Sequence, residues 1–189
     1  MARLEVRDWH NMKAEHNHQA LELARTTYPK DTQSALVAHD LGKVLHALNT
    51  RKDEYKQPYA GFGLIVDGNL EAFVTAAIIP STKTSAKPHL RLDLVAASRK
   101  ATREYRALPT TETPEQVRPL TATHELLFHA VQWAKLHGAT RLAESLLSET
   151  GSKPLMTKLV SRGILSQSCE LDAEKLKPLL ALTEKRLTD

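Results

Sequence analysis

The stretch Arg118–Gly138, RPLTATHELLFHAVQWAKLHG, holds the first residues grouped in a way that suits chemistry. Leu126, Leu127, Ala130, Val131 and Ala134 recur at helical spacing and give that segment one apolar face. Thr121 and Thr123 are both suited to cap its start, and Glu125 suits the positive end of its dipole. Gly138 sits where a left-handed residue ends a helix. The leading amides of a helix have no partner inside it. With Arg118 beside them and only Thr121, Ala122 and Thr123 to crowd them, they form a site for a phosphate group. The plainer reading makes Arg118 a loop residue and the threonines simple caps.

Two carboxylates interrupt apolar stretches: Asp93 within Leu90–Ala97 and Glu144 within Ala139–Leu147. Charged residues inside strand-like runs either face solvent or serve a site. Nine histidines invite a metal reading. However, His10, His16 and His18 lack the i, i+4 histidine pair and accompanying carboxylate of a zinc helix, and we read them as solvated. Cys169 is the single cysteine. It excludes an intrachain disulfide and a cysteine-built zinc site, and no paired base marks it as a nucleophile.

The chain of 189 residues is long enough for one domain with a sizeable core, and 41% of it is apolar. Aromatic residues are few, so that core must be built from Leu, Ala and Val. A formal net charge of +4 with no run of basic residues suits an anionic small molecule or an acidic partner. It argues against a dedicated nucleic-acid binder, which gathers its cations on one surface among stacking aromatics. No apolar run approaches membrane-spanning length and the first residues carry no secretory signal pattern, so we expect a cytoplasmic protein.

Positioning these residues falls to the following elements. Ala2–Asp8 alternates as a short strand. Asn11–Thr27 has helical spacing and ends before Pro29, and a second helix runs from Asp31 or Thr32 to about residue 48. Gly61–Ile79 switches to period two around Asp67-Gly68-Asn69 and predicts a hairpin. Leu90–Ala97 is a further strand, with Leu90, Leu92 and Leu94 expected on one face. Ser98–Val117 is polar, with Arg99, Lys100 and Arg103 and prolines at 109 and 114, and reads as a long connection, solvated or functional. After the helix above come a strand at Ala139–Leu147, a helix over Lys153–Arg162 with Pro154 in its first turn, a strand at Ile164–Leu171 and a helix from Ala173. The order β, α, α, β, β, β, α, β, α, β, α predicts an α/β (α+β) fold: a mixed, mostly antiparallel central sheet with helices on both faces.

This order, from about residue 2 to 165, resembles the GNAT superfamily of acyl-CoA-dependent N-acetyltransferases. That family's pyrophosphate loop is Gln/Arg-x-x-Gly-x-Gly/Ala, and Arg118-Pro119-Leu120-Thr121-Ala122-Thr123 falls in its frame. The Leu-Leu pair, Trp133-Ala134 and His137-Gly138-Ala139 are similar to the helix that follows the loop. Ser152–Ile164 resembles the family's closing helix, with Gly163-Ile164 in place of its Gly-Phe. Thr121 and Thr123 replace both loop glycines, so the backbone approaches phosphate less closely, although a hydroxyl can donate to it. Leu159 occupies the place of the family's frequent general-acid tyrosine.

The resemblance implies residues 1–171 as a GNAT-like domain and 172–189 as a C-terminal helical extension. It implies acetyl-CoA as cofactor, its pantetheine arm along Leu94, Val95, Ala96 and Ala97, and its diphosphate on Arg118, Thr121, Ala122 and Thr123. Ser152 would hydrogen-bond the cofactor or leaving group, or simply cap a helix. Transfer to a primary amine requires that the ammonium lose a proton, and Asp93 and Glu144 are the candidate bases. The partners implied are an acyl-CoA and an amine-bearing substrate, of small molecule or protein, with a homodimer left open. The competing reading is a catalytically degenerate GNAT-fold protein that binds or inhibits a protein partner.

Overall fold

The computed structural model describes residues 2–27, 42, 45, 58–80, 87–107, 122–139, 141–142, 157, 159–166, 170 and 172–176. The chain enters as strand β1 (Leu4–Asp8) and turns through a 3-10 helix at Trp9–Asn11, which the Asp8 side chain caps. Helix α1 (Ala14–Thr27) follows, starting later than expected because this turn takes the first residues of the predicted helix. Strands β2 (Tyr59–Val66), β3 (Asn69–Ile79) and β4 (His89–Ala97) come next. Helix α2 (Arg99–Arg106), helix α3 (Ala122–Leu136), strand β5 (Arg141–Leu142) and helix α4 (Ala173–Leu176) complete the described elements. Of the predicted second helix, the described residues are Gly42 and Leu45, both helical.

The sheet order is β1-β2-β3-β4-β5. The first four strands are antiparallel neighbours, and β4 meets β5 in parallel at His89–Arg141 and Leu90–Leu142. This is the mixed, mostly antiparallel sheet that the sequence predicts. Its hairpin closes on Asp67 and Gly68, both at positive φ (51° and 88°), which is the geometry of a two-residue turn with the twist of the flanking strands. One face of the sheet carries α2 and α3, through Val6, Phe62, Leu64, Val74, Leu92, Val95, Tyr105 and Leu126 among others. The other carries α1 and Leu45, through Trp9, Ile65, Leu70, Phe73, Leu94 and Ala96.

Two register shifts decide which side chains go where. The β2–β3 register passes from Leu64↔Ala72 to Ile65↔Leu70, so Glu71 is an extra residue on β3. The β3–β4 register passes from Thr75↔Leu94 to Ala76↔Leu92, so Asp93 is an extra residue on β4. A bulge breaks the period of two and moves everything beyond it to the opposite face. Hence Leu90 and Leu92 face α3, whereas Leu94 faces α1. The single apolar face expected for these three leucines is thereby corrected.

A second correction concerns Ser98–Val117. Its first half is helix α2, not an irregular connection. The Ser98 hydroxyl accepts from the Ala101 amide (2.9 Å), and Ala101 and Tyr105, one turn apart, bury themselves under the helix. The third concerns the histidines. His10 and His18 are exposed, but His16 is buried. Its Nδ1 accepts from the Lys13 amide (3.1 Å) and its Nε2 donates to the Gly68 carbonyl (3.2 Å), which fixes the ring as the Nε2–H tautomer. His16 therefore joins the start of α1 to the hairpin turn. Near the chain's end, described pairing is the isolated antiparallel bridge Arg141↔Glu170. Among the described residues, no helix is long and apolar enough to cross a membrane and no cluster of His, Cys, Asp and Glu could hold a metal ion.

Candidate active site

The bulge in β4 is the most unusual feature of the sheet, and chemistry-bearing side chains gather at it. Arg91 alternates away from Leu90 and Leu92 and so projects toward the α1 side. Its Nε donates to Asp93 Oδ1 at 2.5 Å, and one terminal nitrogen donates to the Tyr59 hydroxyl at 3.1 Å. Both partners of the ion pair are partly buried. Burial works against the Arg91 charge, but the hydrogen bond and charge of Asp93, then Tyr59, outweigh it, so the guanidinium sits above its ordinary pKa. Sequence reasoning singled out Asp93 and missed Arg91 and Tyr59. The i, i+2 spacing of Arg91 and Asp93 on one strand was visible, but the cross-strand register Tyr59↔Ala77↔Arg91 was not.

Beyond the bulge, Leu94, Val95 and Ala96 are buried and Ala97 is partly exposed at the strand's end. A polar cap closes that end. The Ser98 amide donates to the Glu71 carbonyl (2.8 Å) and its hydroxyl to Glu71 Oε2 (2.5 Å). The extra residue on β3 therefore anchors the start of α2. Lys100 turns to the same corner, 3.7 Å from Glu71 Oε1 and 3.9 Å from Asp67 Oδ2. On the far side of α2 lies an open cleft of about 440 Å³ lined by Ala97, Ser98, Arg99, Thr102, Arg103 and Arg106.

Helix α3 packs on β2, β3 and β4. It ends as its sequence predicts: Gly138 has φ 73°, and the Ala139 amide reaches back to the Ala134 carbonyl (3.0 Å). Its first turn is more closed than expected. Ala122, His124 and Glu125 are buried, and Thr123 is the partly exposed residue among them. Glu125 accepts from the Tyr105 hydroxyl at 2.7 Å, a buried bond that ties α3 to α2. His129 Nε2 lies 3.8 Å from the other Glu125 oxygen. Leu159 is fully buried in the core on this face. Of the residues the sequence nominated, Asp93 and Leu94–Ala97 form one continuous strip on β4, with Ala122 and Thr123 on the helix packed over the sheet. Arg118, Thr121, Glu144 and Ser152 lie outside the described residues, as does Cys169.

No family model matches the sequence, and no curated protein matches it. Solved structures do. One is the aminoglycoside N-acetyltransferase AAC(6')-Iy in complex with the bisubstrate analogue CoA-S-monomethyl-acetylneamine: 15% identity, 88% of this chain and 92% of that one, TM-score 0.55. A predicted acetyltransferase with acetyl-CoA from Clostridium acetobutylicum matches at 11% identity over 82% and 88% of the two chains, TM-score 0.52. A ribosomal-protein-alanine N-acetyltransferase from Brucella melitensis biovar Abortus 2308 matches at 14% identity over 82% and 90%, TM-score 0.50. The fold of this chain is that of the GNAT acyltransferases.

Proposed function

We propose that this protein is an acetyl-CoA-dependent N-acetyltransferase that acts on a primary amine. The observation that carries the reading is the β4 bulge. It sets a half-buried carboxylate, Asp93, at the head of the apolar strip Leu94–Ala97, in a sheet of acyltransferase architecture. Structures of this fold hold CoA-S-monomethyl-acetylneamine or acetyl-CoA. Acetyl-CoA supplies an acyl group already activated as a thioester.

The residues divide the work as follows. The strip Leu94–Ala97 receives the pantetheine arm as an extended strand-like ligand, with apolar surroundings that keep water from the thioester. Asp93 holds the incoming ammonium and takes its proton. Because Arg91 already binds one oxygen of this carboxylate, the proton passes to it through an intervening water. Arg91 and Tyr59 keep the carboxylate in one rotamer. With acetyl-CoA bound, formation of the nitrogen–carbon bond would break the carbon–sulfur bond, and the thiolate would leave with the second proton that the nitrogen sheds. Arg118, Thr121, Ala122, Thr123 and Ser152 remain the proposed contacts to the cofactor's phosphates and leaving group. Glu144, on the stretch after β5, remains a second carboxylate for the amine.

Two measurements test this. Acetyl-CoA at millimolar concentration is expected to raise the melting temperature, because a ligand that binds only the native state stabilises it. Asp93→Asn is expected to lower kcat/KM about a hundred-fold, the scale of a lost proton-transfer group, with acetyl-CoA affinity unchanged. Glu144→Gln serves as its comparison. Absence of a thermal shift sinks the reading in favour of a protein-binding module, whereas full turnover in both variants removes Asp93 and Glu144 as the bases.

A further inference from the structure

We propose that the arginine stripe of α2 holds the phosphate groups at the nucleotide end of CoA. This assignment rests on the acetyltransferase reading and adds residues to its site. Arg99, Thr102, Arg103 and Arg106 lie at i, i+3, i+4 and i+7, which is one side of an α-helix. Ala101 and Tyr105 occupy the opposite side and are buried, so the stripe is fixed facing outward. All four residues line the cleft of about 440 Å³, and among the described residues no acidic side chain lines it with them.

The charges on α2 are sorted. Lys100 is turned to Glu71 and Asp67 at the hairpin corner. Arg103 is met by its sequence neighbour Glu104 (2.8 Å), an exposed contact. Among the described residues, Arg99 and Arg106 have no acidic partner. Like charges one and two turns apart on a helix repel. A stripe of them around a cleft, with Glu104 as its one acidic contact among the described residues, suits a multivalent anion, and the guanidinium fork matches phosphate oxygens in pairs.

Two observations select CoA as the anion. The cleft begins at Ala97, the last residue of the strip that receives the pantetheine arm, so a ligand leaving that strip runs into the arginines. The alternative anion site, the first turn of α3, is covered at Ala122 and His124. Guanidinium groups on α2 thus share with Arg118, Thr121 and Thr123 the task of holding the phosphates, which threonines in place of glycines grip less closely.

The test is calorimetric titration of the whole protein with CoA, dephospho-CoA and pantetheine. Wild type is compared with R99Q/R103Q/R106Q, whose fold is checked by circular dichroism. The wild type is expected to bind CoA more tightly than dephospho-CoA, and the variant to lose at least about ten-fold in CoA affinity, the effect of one charge-assisted contact. Pantetheine binding is expected to stay the same in both, and the salt dependence of CoA binding to become shallower in the variant. A folded variant with unchanged CoA affinity overturns the proposal while leaving the acetyltransferase reading intact. A wild type that binds neither CoA nor pantetheine overturns both. A single-stranded oligonucleotide is the last probe: if the variant loses it but keeps CoA, the stripe serves nucleic acid and the proposal fails.

Discussion

A buried carboxylate has to be held, and Glu125 is held by Tyr105. The bond is 2.7 Å long, both side chains are excluded from solvent, and it joins the second turn of α2 to the first turn of α3. Removing the hydroxyl leaves a carboxylate oxygen short of its donor in a low-dielectric setting, where an unmet hydrogen bond costs most. Tyr105→Phe should therefore lower unfolding free energy by about 1–3 kcal/mol in a denaturant titration. In a Glu125→Gln background the same change should cost clearly less, because the two residues act as a pair. Equal losses in both backgrounds would show that the bond contributes nothing of its own. At this scale the sequence was partly legible. Asp93 stood out because a charge interrupts an apolar run. Glu125 did not, because acid in the first turn of a helix is ordinary dipole chemistry, and nothing local says that the residue is buried. His16 was misread as solvated for the same reason, since its partners are the Lys13 amide and the carbonyl of Gly68, far along the chain.

Between elements, the decisive joint is the one between β3, β4 and α2. Glu71 is extra in one strand and Asp93 in the next. The first anchors the start of α2, and the second turns the strand so that a carboxylate meets Arg91. Ser98 serves both sides of the joint, accepting from the Ala101 amide and donating to Glu71. Ser98→Ala removes a cap worth about 1 kcal/mol and leaves the Glu71 carboxylate without its donor, so we expect a loss of about 1–2 kcal/mol. The loss should come with lowered protection of the α2 amides from hydrogen exchange. Ser98→Asp restores the cap while setting a charge against Glu71, so it should recover helix protection but not full stability. If alanine leaves both quantities unchanged, the joint is not where α2 is fixed. The sequence did not disclose α2, because only Ala101 and Tyr105 mark its apolar side against a majority of charged neighbours. It did not disclose the bulges, because a period-two pattern reads the same until the partner strand shows where a residue is skipped. The hairpin, by contrast, was fully written in Asp67-Gly68.

For the molecule as a whole, the layered plan was legible because it depends on element order and period alone. What the order could not say is how unevenly helices α1 and α3 are held on the sheet. Helix α3 buries nine of its residues against β2, β3 and β4, whereas α1 buries three, His16, Ala20 and Ala24. Strand β3 lies between two antiparallel partners, is covered on both faces, and is buried from Ala72 through Ile78. The edge strand β1 is only partly covered apart from Val6. Protection from amide exchange follows burial and the number of neighbours that must open together. The amides of Ala72–Ile78 and the middle of α3 should thus exchange only through global unfolding, with the same denaturant dependence. Those of α1 and β1 should exchange earlier through partial opening, with a smaller dependence. The measurement is native-state exchange followed residue by residue under increasing denaturant. Were α1 to exchange as slowly as β3, the α1 face would be as firmly bound as the other. The Arg91–Asp93 pair would then sit in a rigid wall and not at the edge of a face able to open.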